Sequence, residues 1–281
     1  MRIFAALVGA ALLSTSAYAQ TAIKFALDWR FEGPAAPYFV AIDKGYYKAE
    51  GLDVSIDPGA GSVEGINRVA SGVYQMGFAD INSLIKYRDN PANSPIKAVM
   101  MGYDTPAFAI ITLKKTGISK PKDLEGRILG APAPDGAYAQ WPIFVDANKI
   151  DASKVKIENV GFPVREPMLA QSNPKAVAGF VRATIKGIQD TIASPETAID
   201  SLMKRNQIAK RDVELERLKL AISKNFVTPD VKKNGFGDVD MARLARSIDQ
   251  IGLTFKYTNK PKAQDIFTSE FLPAKDARAV K

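Results

Sequence analysis

An α/β fold in two lobes is predicted by three features: a strand–helix–strand unit from Ile23 to Ile56, a second alternation of strand and helix from Pro121 to Val160, and a mostly helical stretch from Asn173 onward. In the first unit Ile23, Phe25 and Leu27 alternate with Lys24 and Ala26, and Leu52, Val54 and Ile56 repeat the pattern. Both segments read as strands with one strongly apolar face. Between them Tyr38, Val40, Ala41 and Ile42 form a short helix that Gly45 is placed to end in a left-handed conformation. A helical crossover makes the two strands parallel, so Asp28 and Trp29 lie at a carboxyl end, where open α/β sheets bind small molecules.

The following elements continue the alternation. Val63, Ile66, Val69 and Ala70 fall at helical spacing and Gly72 closes that helix; a third strand, Met76 to Ala79, ends at Asp80. Ile96 to Met101 and Phe108 to Leu113 are apolar runs of strand length. Pro121 to Gly130 reads as a turn, one helical turn at Asp123-Leu124 and a strand from Arg127, and Ala131 to Gly136 is a loop by composition. A helix over Ala137 to Asn148 and a strand over Val155 to Val160 complete a second, smaller lobe; Pro142 is tolerated only in a first turn or at a kink. Asn173 then caps a long helix with Pro174 in its first position. Its stripe is Val177, Phe180, Val181, Thr184, Ile185, Ile188 and Ile192. Amphipathic segments follow at Ala198–Met203, Leu215–Ile222 and Val239–Ile251.

Composition narrows the chemistry. The chain has no His and no Cys, which removes most nucleophile–base pairs and most transition-metal sites. A protein that holds a ligand, without cofactor or metal, is expected rather than an enzyme. Arg2, the apolar run Ile3–Leu13 and the small-x-small pattern Ala17-Tyr18-Ala19 predict an export signal over residues 1–19, cleaved before Gln20. No later segment reaches the roughly 18 consecutive apolar residues of a membrane helix, so an exported, soluble mature chain is expected. Net charge is +8, but the basic residues are scattered without interleaved aromatics, which argues against nucleic acid as a partner.

With these residues in view, the chain resembles the solute-binding proteins of ABC importers in the group for thiamine pyrimidine precursors, nitrate, sulfonates and taurine. The resemblance rests on Leu27-Asp28-Trp29, on Ala41-Ile42-Asp43-Lys44-Gly45-Tyr46-Tyr47, on Glu50-Gly51-Leu52-Asp53-Val54 and on the Gly59-Ala60-Gly61-Ser62 loop. Asp80 after its strand, Pro121-Lys122-Asp123-Leu124-Glu125-Gly126, and Asn173-Pro174 with Phe180-Val181-Arg182-Ala183 extend it over most of the chain. It implies a two-lobed periplasmic-binding-protein fold of type II, a monomer, and an ABC permease of the inner membrane as partner.

The chain departs from the family at one place. There the segment like Val164 to Gln171 is normally followed by Gly, a Val-Asp-Ala strand and the return crossing; here Gln171 runs directly into Ser172-Asn173-Pro174. Several tens of residues are missing by this comparison. The expected organisation is therefore a first lobe over 20–105, a truncated second lobe over 106–171 and a helical part over 172–281 that returns to the first lobe.

Candidate site residues follow. Asp28 and Trp29 suit an amino-substituted heterocycle, the indole stacking on a flat ring while the carboxylate accepts from an exocyclic amine. Trp29 as core and Asp28 as a helix cap is the competing reading. Tyr38 supplies a second aromatic wall or ordinary packing. Gly59, Gly61 and Ser62 allow close backbone approach and, with the helix start behind them, amides for a phosphate, sulfonate or carboxylate. Asp80 and Asn82 line the same edge or cap a helix. The resemblance adds Gly136, Ala137, Tyr138 and Glu166 from the second lobe, with Arg165 placed to neutralise Glu166. Two other functions stand beside the receptor: a pyrimidine-phosphate synthase, whose relatives rely on a reactive His and a Cys-rich motif, and a non-transporting remnant.

Overall fold

β1 (Thr21–Ala26) sits in the middle of a three-stranded parallel sheet. The computed structural model describes residues 20–105, 108–110, 112, 114–131, 133, 135–158 and 174–280. From β1 the chain passes through a 3₁₀ turn at Gly33–Ala35, then α1 (Ala36–Asp43) and α2 (Tyr46–Ala49), into β2 (Leu52–Asp57). β2 pairs with β1 over its whole length, from Thr21 opposite Leu52 to Ala26 opposite Asp57. Gly45 joins the two helices with φ +70°, the left-handed conformation that the sequence requires there. α3 (Ser62–Ala70) crosses to β3 (Met76–Gly77) on the other flank of β1. The third strand is shorter than the run Met76–Ala79 suggests, because only Met76 and Gly77 have β1 residues opposite them. α4 (Ile81–Arg88) follows at once.

The run Ile96–Met101 is extended but forms no strand, making single bridges from Ala98 to Phe267 and from Met101 to Gly237. Those partners sit in separate C-terminal segments, so no ladder can propagate between two continuous strands. Of the run Phe108–Leu113, the described residues 108–110 and 112 are not in a strand.

The described residues between 118 and 157 gather around a core of their own, with Leu124, Ile150 and Val155 buried at its centre and Leu129, Trp141 and Phe144 against them. Its elements are a 3₁₀ turn at Pro121–Leu124, β4 (Ile128–Gly130), α5 (Gly136–Ala139), α6 (Trp141–Asn148) and β5 (Lys156–Glu158), which pairs parallel with β4. The helix expected over Ala137–Asn148 is thus two helices meeting at Gln140. Pro142 lies in the first turn of the second, where its missing N–H costs no hydrogen bond. The capping residue Asn173 and the junction at Gln171 lie outside the described residues, as does the leader 1–19.

α7 (Pro174–Ala193) brings the chain back onto the N-terminal sheet. Its predicted stripe is its buried face: Phe180, Val181, Thr184, Ile185 and Ile188 are all buried. Phe180 lies between Phe25 of β1 and Tyr47 of α2, with ring centroids 4.8 and 5.1 Å away. The Tyr47 hydroxyl and Thr184 Oγ1 share a hydrogen bond of 2.8 Å in the same layer. α8 (Pro195–Met203), α9 (Arg211–Ala221), a π-helical turn at Ile222–Phe226, α10 (Pro229–Asn234), α11 (Met241–Phe255) and α12 (Ala263–Ile266) complete the chain. None of the described helices is long and apolar enough to cross a membrane.

The α1–α7 contact is close because Gly187 has no side chain. A Cβ there would lie 2.2 Å from the Pro37 carbonyl oxygen and 2.9 Å from Ala41 Cβ. Gly187→Ala is expected to destabilise the protein by about 1–3 kcal/mol through forced separation of the two helices, although alanine is the better helix former. Urea denaturation followed by far-UV circular dichroism measures this; a gain in stability would show that the contact yields without cost.

Candidate functional site

Past the end of β1 the chain turns sharply and lines a cavity of about 70 Å³ at the carboxyl edge of the sheet. Leu27, Asp28 and Trp29 come from the strand end, and Arg30, Glu32, Pro34 and Ala35 from the segment that leads into α1. Tyr38 of α1, Phe78 just beyond β3 and Tyr103 close the remaining sides. Three of the residues singled out from sequence, Asp28, Trp29 and Tyr38, thus share one cavity. Trp29 is 38% exposed and so belongs to the rim rather than to the core. Tyr38 is both core and wall, with its ring 5.0 Å from Phe25 and 6.4 Å from Phe78.

Asp28 caps no helix. Its carboxylate accepts a hydrogen bond of 2.9 Å from Ser62 Oγ, and the same hydroxyl accepts one of 2.9 Å from the Asp80 amide. Ser62, at the head of α3, therefore couples the ends of β1 and β3. Asp80 is the N-cap of α4: it accepts from the amides of Asn82 and Ser83 and from Asn82 Nδ2. Asp80 thus serves as the cap and also lies at the edge it shares with Ser62 and Gly136. Burial pushes the Asp28 carboxyl up to about 6; the Ser62 bond opposes the rise, and the Asp80 and Asp135 carboxylates add to it. Burial likewise raises Asp80 to about 6 against its hydrogen bonds, again with a contribution from Asp135. Burial raises the Tyr38 and Tyr103 phenols too, so both stay protonated donors at neutral pH.

The glycine turn between β2 and α3 serves this strand end. The Gly59 amide donates to the Trp29 carbonyl at 3.0 Å and the Gly61 amide to the Asp28 carbonyl at 2.8 Å, while the Ala60 amide reaches Glu64. These amides are spent inside the protein and do not face a ligand, a correction to their expected role as an anion cradle. The close approach needs glycine: a Cβ on Gly59 would stand 1.9 Å from the Leu27 carbonyl oxygen, and Gly61 has φ +112°.

From the second lobe Gly136 reaches the same edge. It is buried, and a Cβ on it would lie 2.9 Å from Asp80 Cβ and 3.0 Å from Ser62 Oγ. Asp135 caps α5 through the Ala137 amide at 3.1 Å. Ala137, Tyr138 and Asn82 are partly buried but lie outside the cavity lining. Glu166 and Arg165 are outside the described residues. Phe78, Tyr103, Arg30, Glu32 and Asp135 are additions to the set read from sequence. Arg30 and Glu32 follow the same strand end as Asp28 and Phe78 follows the third strand, so the carboxyl-edge rule reaches them; nothing in the local pattern marks Tyr103. The assembly offers aromatic faces, two phenol donors and a desolvated carboxyl acceptor. Among the described residues no group of three or more carboxylates is arranged to hold a metal ion.

The model of the family described as NMT1/THI5 like matches residues 34–172. A riboflavin-binding protein of Chloroflexus aurantiacus is 25% identical over 293 residues, using 85% of this chain and 82% of that protein. That alignment is longer than the 281 residues of the whole chain, so tens of positions of the relative have no counterpart here. A formylaminopyrimidine-binding protein of Halalkalibacterium halodurans is 28% identical over 57% of this chain and 48% of its own length. A 4-amino-5-hydroxymethyl-2-methylpyrimidine phosphate synthase of Aspergillus parasiticus is 30% identical over 38% of this chain and 31% of its own length. Among solved structures, a Bordetella bronchiseptica protein superposes with a TM-score of 0.68 at 16% identity, covering 90% of this chain and 96% of that one. The alkanesulfonate-binding protein of Xanthomonas axonopodis pv. citri, bound to MOPS, gives 0.59 at 11% identity, covering 89% and 99%. The chain thus has the periplasmic-binding-protein fold.

The raised carboxyls make a stability prediction whose sign is fixed. A folded-state value of about 6 for Asp28 lies above the ordinary value of 3.8, so the favourable contribution of protonation is complete below about pH 4 and lost as pH rises through 6. Asp28→Asn keeps an acceptor for Ser62 and removes the desolvated charge. It is expected to stabilise the protein by about 1–2 kcal/mol at pH near 7.5 and to change little at pH near 4. Urea titrations at both pH values check this; equal effects at the two would contradict it.

Proposed function

Because the model of the NMT1/THI5-like family matches residues 34–172, we propose that the chain is a member of it and is the solute-binding component of an ABC importer, exported to the periplasm and specific for a small nitrogen heterocycle such as a thiamine pyrimidine precursor. The observation that carries this reading is the pairing of Asp28 with Trp29, Tyr38 and Tyr103 around one cavity at the carboxyl edge of a parallel sheet. A flat ring stacks on the aromatic faces, its amine donates to Asp28, and its ring nitrogen or carbonyl accepts from the phenols. The formylaminopyrimidine-binding relative supports this class of ligand. Export rests on the Ala17-Tyr18-Ala19 pattern and an ABC permease is the implied partner of a monomeric receptor.

At about 70 Å³ the cavity is smaller than the usual ligand pocket of roughly 300–1,000 Å³, so a ring enters only as a wall moves outward. The Gly136 end of α5 packs beside the cavity without lining it, meeting Ser62 and Asp80 without a side chain of its own, and is the contact proposed to yield. Opening and closing there is how ligand contacts to both lobes would bias the molecule toward its permease-docking form. The direct passage from Gln171 into Ser172-Asn173-Pro174 is the basis for proposing a reduced second lobe, and hence weaker binding than in a complete receptor.

The second reading is a receptor for a sulfonate, nitrate or taurine-type anion, favoured by the alkanesulfonate-binding neighbour. Two desolvated carboxyls at the site and the committed amides of Gly59 and Gly61 weigh against an anion. The synthase reading has one relative over 38% of the chain but none of the His and Cys on which that resemblance depends.

Calorimetry and native mass spectrometry with formylaminopyrimidine, riboflavin and MOPS separate these readings. Formylaminopyrimidine is expected to bind, and Trp29→Ala to weaken it by about 1–3 kcal/mol through lost stacking. Fluorescence of Trp29 in the Trp141→Phe background reports the contact directly. Binding of MOPS with no response to the pyrimidine would establish the anion reading instead.

A further inference from the structure

The segment Trp29–Ala35 supplies five of the cavity's lining residues, yet apart from one 3₁₀ turn it has no regular structure to hold it. Its order comes from outside. Glu214 of α9 is buried, with its side chain only 5% exposed, and its Oε2 accepts the Gly33 amide at 2.7 Å. Its Oε1 accepts from Arg217 Nη1, also at 2.7 Å, and the same guanidinium nitrogen lies 3.2 Å from Glu32 Oε1. Asn206, in the loop before α9, donates to the Phe31 carbonyl at 2.7 Å. The fit is tight: a Cβ on Gly33 would lie 2.3 Å from the Glu214 carbonyl oxygen and 2.7 Å from the Leu218 amide nitrogen.

A buried carboxylate is costly and is a poor device for stability alone, since an apolar residue of similar size is often as stable. This one takes the amide of a residue flanked by two cavity-wall residues, Glu32 and Pro34. We infer that Glu214 and Arg217 are positioning residues, which fix Gly33 and Glu32 and through them the wall of the ligand cavity, although neither lines it. The inference rests on the proposed ligand site for its functional half, whereas the pinning of the segment stands on the contacts alone. One consequence is specific to this arrangement: Arg217 links the outer surface of α9, where its side chain is 46% exposed, to the rim residue Glu32. Loss of that cation should loosen the wall while leaving the helix intact.

Arg217→Ala is the informative variant, because Glu214→Ala risks unfolding. Hydrogen exchange of the ligand-free protein should show faster exchange of the amides in 29–35 and unchanged exchange in the interior of α9, with Arg217→Lys restoring part of the protection. Dissociation of formylaminopyrimidine, followed by stopped-flow fluorescence, should become about threefold to tenfold faster, and Arg217→Lys should recover part of that loss. Unchanged exchange in 29–35 would overturn the pinning. Faster exchange with unchanged dissociation in a protein that binds the pyrimidine would overturn the positioning role. If the wild-type protein binds none of the three probes, the proposed ligand class fails instead, and the exchange result still decides whether α9 holds the segment.

Discussion

The seam between α7 and the N-terminal βαβ unit is the contact on which the molecule depends. β1 is held on both edges by strands, but its apolar face is covered by a helix from the far half of the chain, with Phe180 seated between Phe25 and Tyr47. Gly187 lets α7 approach α1 to backbone contact, and the Tyr47–Thr184 hydrogen bond satisfies polar groups that the same approach buries. At the rim Arg182 forms a bidentate pair with Glu50 and Arg205 pairs with Asp43, exposed contacts that contribute less than the burial they surround. Because α7 lies on β1, the strand end that carries Asp28 is anchored from behind, so the site inherits its rigidity from a contact with none of its own residues.

Polar groups at that strand end are arranged as a relay of constraints. The Ser62 hydroxyl accepts from the Asp80 amide and donates a hydrogen bond to Asp28, Asp80 caps α4, and the Gly59 and Gly61 amides donate to the carbonyls of Trp29 and Asp28. Every one of these groups is used to fix geometry, and none of these bonds engages the ring faces or the phenols of the cavity. The electrostatic cost is visible in the raised carboxyls: three acidic side chains, Asp28, Asp80 and Asp135, bear on one desolvated region. Such tension is characteristic of binding sites, where stability is given up for a set of groups that a ligand can satisfy.

Much of this was legible beforehand, and the misses share a cause. The alternation of Ile23, Phe25 and Leu27 and the stripe of α7 report directly which face is buried, since the period of each element is a local property of the chain. Pro142 marked its own helix break for the same reason. By contrast Ile96–Met101 has the apolarity of a strand but no continuous partner, and the short β3 ends where β1 residues cease to face it. Strand pairing is a property of two segments, and one of them cannot report it. The amides of Gly59 and Gly61 were open to two uses, and the deciding carbonyls belong to residues some 30 positions away in the chain.

By itself, then, the sequence determined the α/β class, the parallel βαβ unit, the placing of Asp28 and Trp29 at a carboxyl edge, and the exclusion of His- and Cys-based chemistry, all of which follow from local periodicity or from composition. Tertiary structure alone decided that Tyr103 and Phe78 join Tyr38 in one cavity, that Gly136 abuts Ser62 and Asp80, and that Glu214 and Arg217 hold the segment around Gly33. Those groups lie up to 181 positions apart, as with Gly33 and Glu214, and each sits in a locally ordinary environment. Only the long-range closure of α7 to α9 over the first sheet brings them within reach of one another, and no short-range pattern encodes where a chain that returns to its own beginning will touch it.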